Sequence, residues 1–313
     1  MGRIKFSIIV AVAPDRNPEV IKTLKEQDYP SDKYEILIKR GPNASVNRNV
    51  GVKEAKGEII AFIDDDAIVE KNWLIKAERF FVDHPEIDVV GGPQLTPLDD
   101  NWWGYISGIA LANMLGGASI RNRYRKGLLN LNSDERDLTT ANVFCRREVF
   151  LKAKFNSNFW PGEDPVFFNE LVSKGKRLAY YPDLYVYHRR RDNMLSFIKQ
   201  IFSYGFVRPG IKSIKKTKKS SFLFLVPSIF VLYLFFLPLL FRMKNVFFLP
   251  LLVYIIIVSI ISVIFFIKEK KYKYLMILLP FIFLLIHVSY GFGFIFGFLK
   301  ASKILSKKAS HLE

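Results

Sequence analysis

Three consecutive aspartates, Asp64, Asp65 and Asp66, are the residues whose type and spacing most directly suggest chemistry. They follow an apolar run at 58–63 that has the composition of a buried strand. Side chains alternate along an extended chain, so Asp64 and Asp66 face one way and Asp65 the other. Two carboxylates about 4 Å apart repel by roughly 4 kcal/mol at an effective dielectric near 20. A hard divalent cation shared with a diphosphate would offset that repulsion, and a solvated turn is the alternative.

The elements that must position these aspartates are predicted to form an open, parallel α/β sheet. Short apolar runs alternate with helical segments, a pattern typical of such sheets. Ligands bind beyond the carboxyl ends of the strands in this architecture, and polar residues follow the first two strands there, at 14–16 and 39–40. The predicted strands are 7–13, 34–39, 58–63 and 89–90, and the predicted helices are 18–27, with Asn17 as N-cap, 45–55 and 71–82.

The order of these elements resembles the nucleotide-sugar half of family 2 glycosyltransferases, which have the GT-A fold. The motifs that carry the resemblance are PDRN at 14–17, LKEQDYP at 24–30, YEILI at 34–38, NRNVG at 47–51 and GEIIAFIDDD at 57–66. The aspartate run resembles the DxD motif of that family. The resemblance implies that Asp66 binds Mg2+ or Mn2+ on the donor diphosphate, with Asp64 and Asp65 at the ribose and sugar. It also implies that the nucleotide is lined by Pro14, Asp15, Arg16 and Arg48.

One departure from the family concerns the end of the second strand. Family members commonly place an aspartate there, facing the base, whereas this chain has Lys39-Arg40-Gly41-Pro42. The base of the donor nucleotide is therefore left open.

The resemblance continues through the second half of the domain and covers nearly all of residues 5–191. The segment 138–148 resembles the family segment beneath the acceptor site, and 159–164 matches its GED motif. The resemblance implies that Glu163 and Asp164 are the catalytic carboxylates, with Asp164 as the general base of an inverting transfer. It also implies that Asn142 and Trp160 contact the acceptor. As alternatives, Asp164 is only the N-cap of a helix at 165–173, and Trp160 is a packed aromatic.

His188 ends a predicted strand at 184–188 and follows the pair Pro182-Asp183. In the family a histidine at such a place often reaches the metal or the diphosphate, and neutral imidazole can ligate manganese. The resemblance therefore implies that His188 is a metal ligand. A hydrogen-bonded side chain without a ligand is the alternative.

The net charge of +17 is concentrated in the most apolar part of the chain. Residues 1–193 carry 29 basic and 27 acidic side chains, whereas 194–313 carry 17 and 2. Segments 222–241, 246–267 and 274–299 are long and apolar enough to cross a bilayer, which takes about 20 residues each. The acid-free basic stretch 208–219 places the preceding domain in the cytosol by the positive-inside rule.

The basic tail at 300–308 does not fit three crossings, because it would then lie outside. We therefore expect the third span to be tilted, re-entrant or irregular around its glycines, Gly291, Gly293 and Gly297. Segments 101–117 and 194–207 are predicted to lie at the membrane interface, with buried packing as the alternative. The single cysteine, Cys145, excludes an intramolecular disulfide and fits a reducing compartment.

These features predict a multi-pass protein of the cell membrane. The resemblance implies that its cytosolic domain, at 1–193, is a GT-A fold with a Rossmann-like mixed α/β sheet. Its nucleotide-sugar half would be 1–93 and its acceptor half 94–193, followed by an interfacial basic linker at 194–221 and about three transmembrane helices in 222–313.

We expect an inverting, metal-dependent hexosyltransferase that moves a sugar from a nucleotide-sugar donor to a lipid-linked saccharide, with membrane lipids as further partners. Polyprenyl or dolichyl phosphate as acceptor is one alternative, and a non-catalytic scaffold that binds nucleotide sugars is another. A processive synthase is disfavoured because Gln200 is followed by IFSYG instead of completing a QxxRW motif. Nucleic acid is not expected, because the lysines alternate with apolar spans and not with stacking aromatics.

Overall fold

The computed structural model describes residues 4–158, 162–211 and 219–309, and within these the side chains of 219–221 and 302–309 are not described. The chain divides into two compact units. The first, here called the α/β unit, comprises residues 1–97 and 119–189. The second, here called the helical unit, comprises residues 98–118 and 190–313.

A six-stranded mixed sheet forms the α/β unit, with strand order β2-β1-β3-β7-β5-β8. Strands β1, β2 and β3 are parallel, β7 is antiparallel to β3 and β5, and β8 is parallel to β5. The carboxyl ends of β1, β2, β3, β5 and β8 therefore meet at one edge, here called the carboxyl edge. The strands are β1 Phe6–Val12, β2 Tyr34–Arg40, β3 Ile59–Asp64, β5 Val89–Gly91, β7 Asn142–Arg146 and β8 Leu178–Tyr180.

A second sheet of three short strands, in the order β4-β9-β6, adjoins the carboxyl edge. Its strands are β4 Ala67–Val69, β6 Gln94–Leu95 and β9 Val186–His188. The helices of the α/β unit are α1 Val20–Leu24, α2 Ala44–Glu54, α3 Trp73–Asp83 and α6 Glu163–Ser173.

Hydrophobic cores cover both faces of the large sheet, because alternate side chains of its apolar strands point to opposite sides. On one face Ile8 and Val10 pack with Trp73 of α3. On the other face Ile9 and Phe62 pack with residues of α6, including Phe167. The predicted fold class, a mixed α/β sheet followed by apolar helices, is confirmed.

Two local expectations are wrong: that Asn17 caps the first helix, and that the third span is irregular at its glycines. Helix α1 spans only the five residues Val20–Leu24. Glu19 occupies its N-cap position without a side-chain hydrogen bond, so Asn17 is not the N-cap. Helix α10, Leu279–Ala309, is continuous and is not irregular around its glycines. Those glycines instead admit neighbouring backbone: a Cβ at Gly293 would lie 2.1 Å from the carbonyl oxygen of Phe202.

The helical unit contains α4 Trp102–Ala112, α5 Met114–Gly117, α7 Met194–Val207, α8 Val226–Met243, α9 Leu249–Lys268 and α10. Helix α7 buries Phe197, Ile201 and Gly205, one residue per turn, in close contact with α10. Among the described residues, three helices are long and apolar enough to span a membrane: Phe222–Met243, Asn245–Lys268 and Lys273–Ala301. The three predicted spans are therefore confirmed as helices of sufficient length and hydropathy.

Candidate active site

The three aspartates lie at the carboxyl edge, as expected for ligand-binding residues of an open sheet. Asp64 is the last residue of β3, after which the chain turns and returns as β4. Strand β4 pairs with β9 in a register that puts Ala67 opposite His188. His188 Nε2 consequently lies 3.0 Å from Asp66 Oδ1 and 3.4 Å from Asp64 Oδ2. Asp64 and Asp66 thus face one partner, as the alternation of side chains predicts.

Asp64, Asp66 and His188 can offer one ligand atom each within 4.8 Å of one another, the arrangement of a metal site. Two carboxylates suit Mg2+ or Mn2+, and an imidazole nitrogen adds a donor that transition metals accept. Although burial favours neutral imidazole, hydrogen bonds with Asp64 and Asp66 raise the pKa of His188 to about 9. Burial would also favour neutral Asp66, yet His188 and Arg16 hold the pKa of that carboxyl well below its usual range. The donor set therefore fits a divalent cation, whose positive charge would replace that of protonated His188 and of Arg16 beside the two carboxylates.

Arg16 comes from the exposed turn after β1 and reaches Asp65 and Asp66. Its guanidinium lies 3.0 Å from Asp65 Oδ1 and 2.8 Å from Asp66 Oδ2. Burial raises the pKa of Asp65 to about 6, against the opposing effect of Arg16. The other oxygen of Asp65, Oδ2, is buried and has no hydrogen-bond partner in the described part of the chain. Pro14 and Asp15 are also exposed, so the three predicted nucleotide-binding residues of this turn are accessible at the carboxyl edge.

Arg48 links the aspartate cluster to the second acidic pair. It projects from α2, is buried, and places its guanidinium 2.8 Å from Glu163 Oε1, 3.7 Å from Asp64 Oδ1 and 3.9 Å from Asp164 Oδ1. The cation also lies 5.6 Å from the centroid of the Phe155 ring. Burial favours neutral Arg48, but the charges of Asp164, Glu163 and Asp64 outweigh it and raise the pKa of the guanidinium. One buried cation therefore faces three carboxylates from distant parts of the sequence.

Glu163 and Asp164 occupy the first turn of α6, whose N-cap is Gly162. Gly162 has φ 112°, a left-handed conformation that favours glycine. The helix therefore begins two residues before the predicted start at 165, and Asp164 is not its N-cap. The Asp164 carboxylate instead accepts hydrogen bonds from Thr140, at 3.0 Å from the backbone nitrogen and 2.6 Å from Oγ1.

Glu163 is more buried than Asp164 and has both of its oxygens engaged. Oε1 accepts from Arg48 and Oε2 accepts from the backbone nitrogen of Gly162 at 3.0 Å. Burial, reinforced by the charge of Asp164, raises the pKa of Glu163, although Arg48 acts in the opposite direction. Glu163 is thus placed to hold Arg48, while Asp164 retains more contact with solvent.

Of the two predicted acceptor residues, Asn142 and Trp160, the structure describes only Asn142. Asn142 is fully buried. Its Oδ1 accepts from Trp73 Nε1 at 3.0 Å and its Nδ2 donates to the carbonyl oxygen of Leu184 at 2.6 Å, so the side chain joins β7 to α3 and to the chain before β9. Trp160 lies outside the described residues.

Thr140 and the Arg48–Glu163 pair were not anticipated from the sequence. Thr140 lies in the segment 138–148 that carries the family resemblance, and that was the available signal. Arg48 and Glu163 are separated by 115 positions, and nothing in the local pattern around either residue predicts the contact.

The chain is similar in sequence to known proteins. Residues 11–153 match the family described as glycosyl transferase family 2. The minor teichoic acid biosynthesis protein GgaA of Bacillus subtilis is 24% identical over 203 residues, which are 62% of this chain and 42% of that protein. This chain thus spans less than half of that relative's length.

Two further proteins are similar over longer shares of their own length. A Methanococcus voltae enzyme, dolichyl N-acetyl-alpha-D-glucosaminyl phosphate 3-beta-D-2,3-diacetamido-2,3-dideoxy-beta-D-glucuronosyltransferase, is 24% identical over 269 residues, covering 72% of this chain and 82% of the enzyme. The mannosyltransferase PcManGT of Pyrobaculum calidifontis, solved with GDP-Man and Mn2+, is 16% identical with a TM-score of 0.49, covering 69% of this chain and 66% of that one. The predicted resemblance to glycosyl transferase family 2 is confirmed by the match of residues 11–153 to that family.

Proposed function

We propose that this protein is an inverting, metal-dependent glycosyltransferase that moves a sugar from a nucleotide-sugar donor to a lipid-linked saccharide at the cytosolic face of the membrane. The observation that carries the proposal is the contact of one buried arginine with two acidic groups. Arg48 lies against Asp64 of the aspartate cluster and against the pair Glu163 and Asp164. This contact brings a candidate donor site and a candidate base together at one sheet edge.

The aspartate cluster would hold the donor through a divalent cation. Asp64, Asp66 and His188 are its proposed ligands, and the bound ion would neutralise charge on the diphosphate. Arg16 lies beside Asp66 and is half exposed, so its guanidinium is available to diphosphate oxygens. Asp65 and the exposed Pro14 and Asp15 complete the proposed nucleotide-sugar surface.

Asp164 is the proposed general base. An inverting transfer needs a carboxylate on the side of the sugar opposite the leaving diphosphate, where it takes the proton of the attacking hydroxyl. Two hydrogen bonds from Thr140 fix the Asp164 carboxylate, and the N-terminus of α6 favours its negative charge. Glu163 would act as a positioning residue that keeps Arg48 between the two acidic groups.

The proposed acceptor and location rest on the helical unit and on the relatives. Three helices of sufficient length for a bilayer follow the α/β unit in the chain. The M. voltae relative is named for transfer to a dolichyl-phosphate-linked sugar, and the B. subtilis relative for teichoic acid biosynthesis. The basic residues around the first and second spans favour a cytosolic α/β unit.

The test is a donor panel with the full-length protein in membranes. UDP- and GDP-sugars are supplied with Mn2+ and with one of two acceptors, polyprenyl phosphate or a lipid-linked saccharide, and release of nucleoside diphosphate is measured. The proposal predicts release with one donor only when the lipid-linked saccharide is present, and loss of release on addition of a chelator.

Three other results would each contradict one part of the proposal. Release with polyprenyl phosphate alone would replace the proposed acceptor. Transfer unaffected by the chelator would remove the metal role of Asp66. Binding of a donor without release, under any acceptor, would contradict the enzyme and favour a scaffold.

A further inference from the structure

Two exposed leucines project from a well-anchored loop of the α/β unit. Leu128 is 88% exposed and Leu129 is 48% exposed, although both lie between ordered, hydrogen-bonded residues. The residues just before them, Arg125 and Lys126, are cations and are also exposed. Hydration of exposed leucine side chains is unfavourable, so burying this pair against a partner surface would be favourable, and the adjacent cations favour an anionic one.

A buried tyrosine holds this loop in place. The Tyr180 side chain is fully buried, and its hydroxyl donates to the carbonyl oxygen of Arg125 at 2.7 Å and accepts from the nitrogen of Gly127 at 3.1 Å. The backbones of Asn130 and Tyr180 also exchange two hydrogen bonds, of 3.0 and 2.8 Å. The leucines are therefore presented outward by contacts on both sides of the loop, which lowers the ordering cost of binding.

The loop lies at the carboxyl edge, together with the candidate active site. Tyr180 is the last residue of β8, which runs parallel to β5 and in the same direction as β3. Lys126 Nζ lies 3.7 Å from the centroid of the Tyr185 ring, and the Tyr185 hydroxyl donates to Glu70, the residue after β4. The loop with the two leucines thus lies at the carboxyl edge, where the aspartates also lie.

We propose that the loop 125–129 docks on an anionic lipid bilayer, with Leu128 and Leu129 in the interfacial region and Arg125 and Lys126 at the phosphates. Apolar side chains enter the headgroup boundary of a bilayer, and adjacent cations are attracted to anionic lipids. Two carboxylates face Lys126: Asp183, at 3.9 Å, and Glu70, which also pairs with Lys76. With the three cations Arg125, Lys126 and Lys76 against these two acids, the group keeps a net charge of +1. The same chain carries helices that can span a bilayer, so a lipid surface is the partner available to it.

This docking would hold the carboxyl edge against the membrane surface. The contact does not depend on the proposed sugar transfer, since it involves none of the candidate catalytic or metal-binding residues.

The test uses the full-length chain with a fluorescent label at Leu128→Cys, in vesicles of phosphatidylcholine and phosphatidylglycerol that carry a lipid-borne quencher. Cys145 is fully buried, which raises the pKa of its thiol, so the introduced cysteine is the one expected to react. Val82→Cys is the matched control, since Val82 is a 70% exposed apolar residue of the same unit. It lies beside Lys5 and Gly57, which precede β1 and β3, and therefore at the opposite edge.

The proposal predicts several-fold stronger quenching at position 128 than at 82, with the same result for Leu129→Cys. Arg125→Gln with Lys126→Gln should reduce quenching at 128 in vesicles that contain phosphatidylglycerol. Equal quenching at 128 and 82 would overturn the proposal. So would shielding of position 128 that appears only at high protein density, because that would identify a second copy of the chain as the partner.

Discussion

Arg48 is the residue on which the geometry of the candidate site depends. It is buried and faces Asp64, Glu163 and Asp164 within 4 Å, so charged groups of α2, β3 and α6 meet at one point. Buried carboxylates without a counter-charge are costly, because they lose hydration without a compensating partner. Arg48 therefore both stabilises the fold and sets the distance between the two acidic groups.

We predict that Arg48→Gln lowers the stability of the α/β unit by about 3–5 kcal/mol, the usual cost of removing one partner of a buried ion pair. Glu163 and Asp164 would then repel each other without a cation between them. Thermal or denaturant unfolding of the full-length protein, followed by tryptophan fluorescence, measures the change.

The matched control for this substitution is Lys39→Gln. Lys39 also donates to a carboxylate, that of Glu54, but the pair lies at the surface. Its loss should cost less than about 1 kcal/mol. Equal effects of the two substitutions would contradict the role assigned to Arg48.

At the scale of elements, the strands were predictable because each is a short apolar run that must be buried. Strands β1, β2 and β3 lie within one or two residues of the predicted ranges. The position of the aspartates at the end of β3 followed from the same pattern. Helix starts were less predictable: α6 begins at Glu163 because Gly162 adopts a left-handed conformation, whereas the pair Asp164-Pro165 suggested a later start.

Contacts between distant segments could not be predicted from local patterns. The hydrogen bonds from Thr140 to Asp164 and from Arg48 to Glu163 depend on how β7, α2 and α6 meet. Helix α10 is a further example. Its glycines suggested irregularity, but they allow close approach of α7 and leave the helix intact.

The anchoring of the loop 125–129 by β8 gives a prediction at this scale. Tyr180→Phe removes the hydroxyl that pairs with Arg125 and Gly127 and leaves two backbone groups without that partner. A local loss of about 1–3 kcal/mol is expected, and hydrogen exchange at Gly127 should quicken by roughly tenfold or more.

Hydrogen exchange measured by mass spectrometry over residues 125–130 checks this prediction. Tyr181→Phe is the control, because the Tyr181 ring packs on Phe80, 5.1 Å between centroids, and lies next to Tyr180 in the chain. Unchanged exchange in Tyr180→Phe, or equal changes in both variants, would show that the loop is held by other contacts.

At the scale of the whole molecule, the charge distribution separates two roles. The excess of basic residues lies in 194–313, around helices that can span a membrane, whereas 1–193 is nearly neutral. The net charge of +17 is therefore carried mainly by the part of the chain that contains these helices, as the positive-inside rule predicts for the proposed orientation.

The proposed orientation predicts that the α/β unit is accessible from the cytosol alone. A cysteine at Val82→Cys should react with a membrane-impermeant maleimide in inside-out vesicles and remain unlabelled in intact cells. The unsubstituted protein is the control, since Cys145 is buried. Labelling from outside intact cells would contradict the orientation.

Asp164 is the proposed base of a glycosyl transfer, and transfer and donor binding measured in Asp164→Asn test that role. We predict that transfer falls by about 10²–10⁴-fold, the usual contribution of a general base, while the donor binds with unchanged affinity. Asp83→Asn, an exposed aspartate at the end of α3, should leave both unchanged. Full transfer activity in Asp164→Asn would show that Asp164 is not the base.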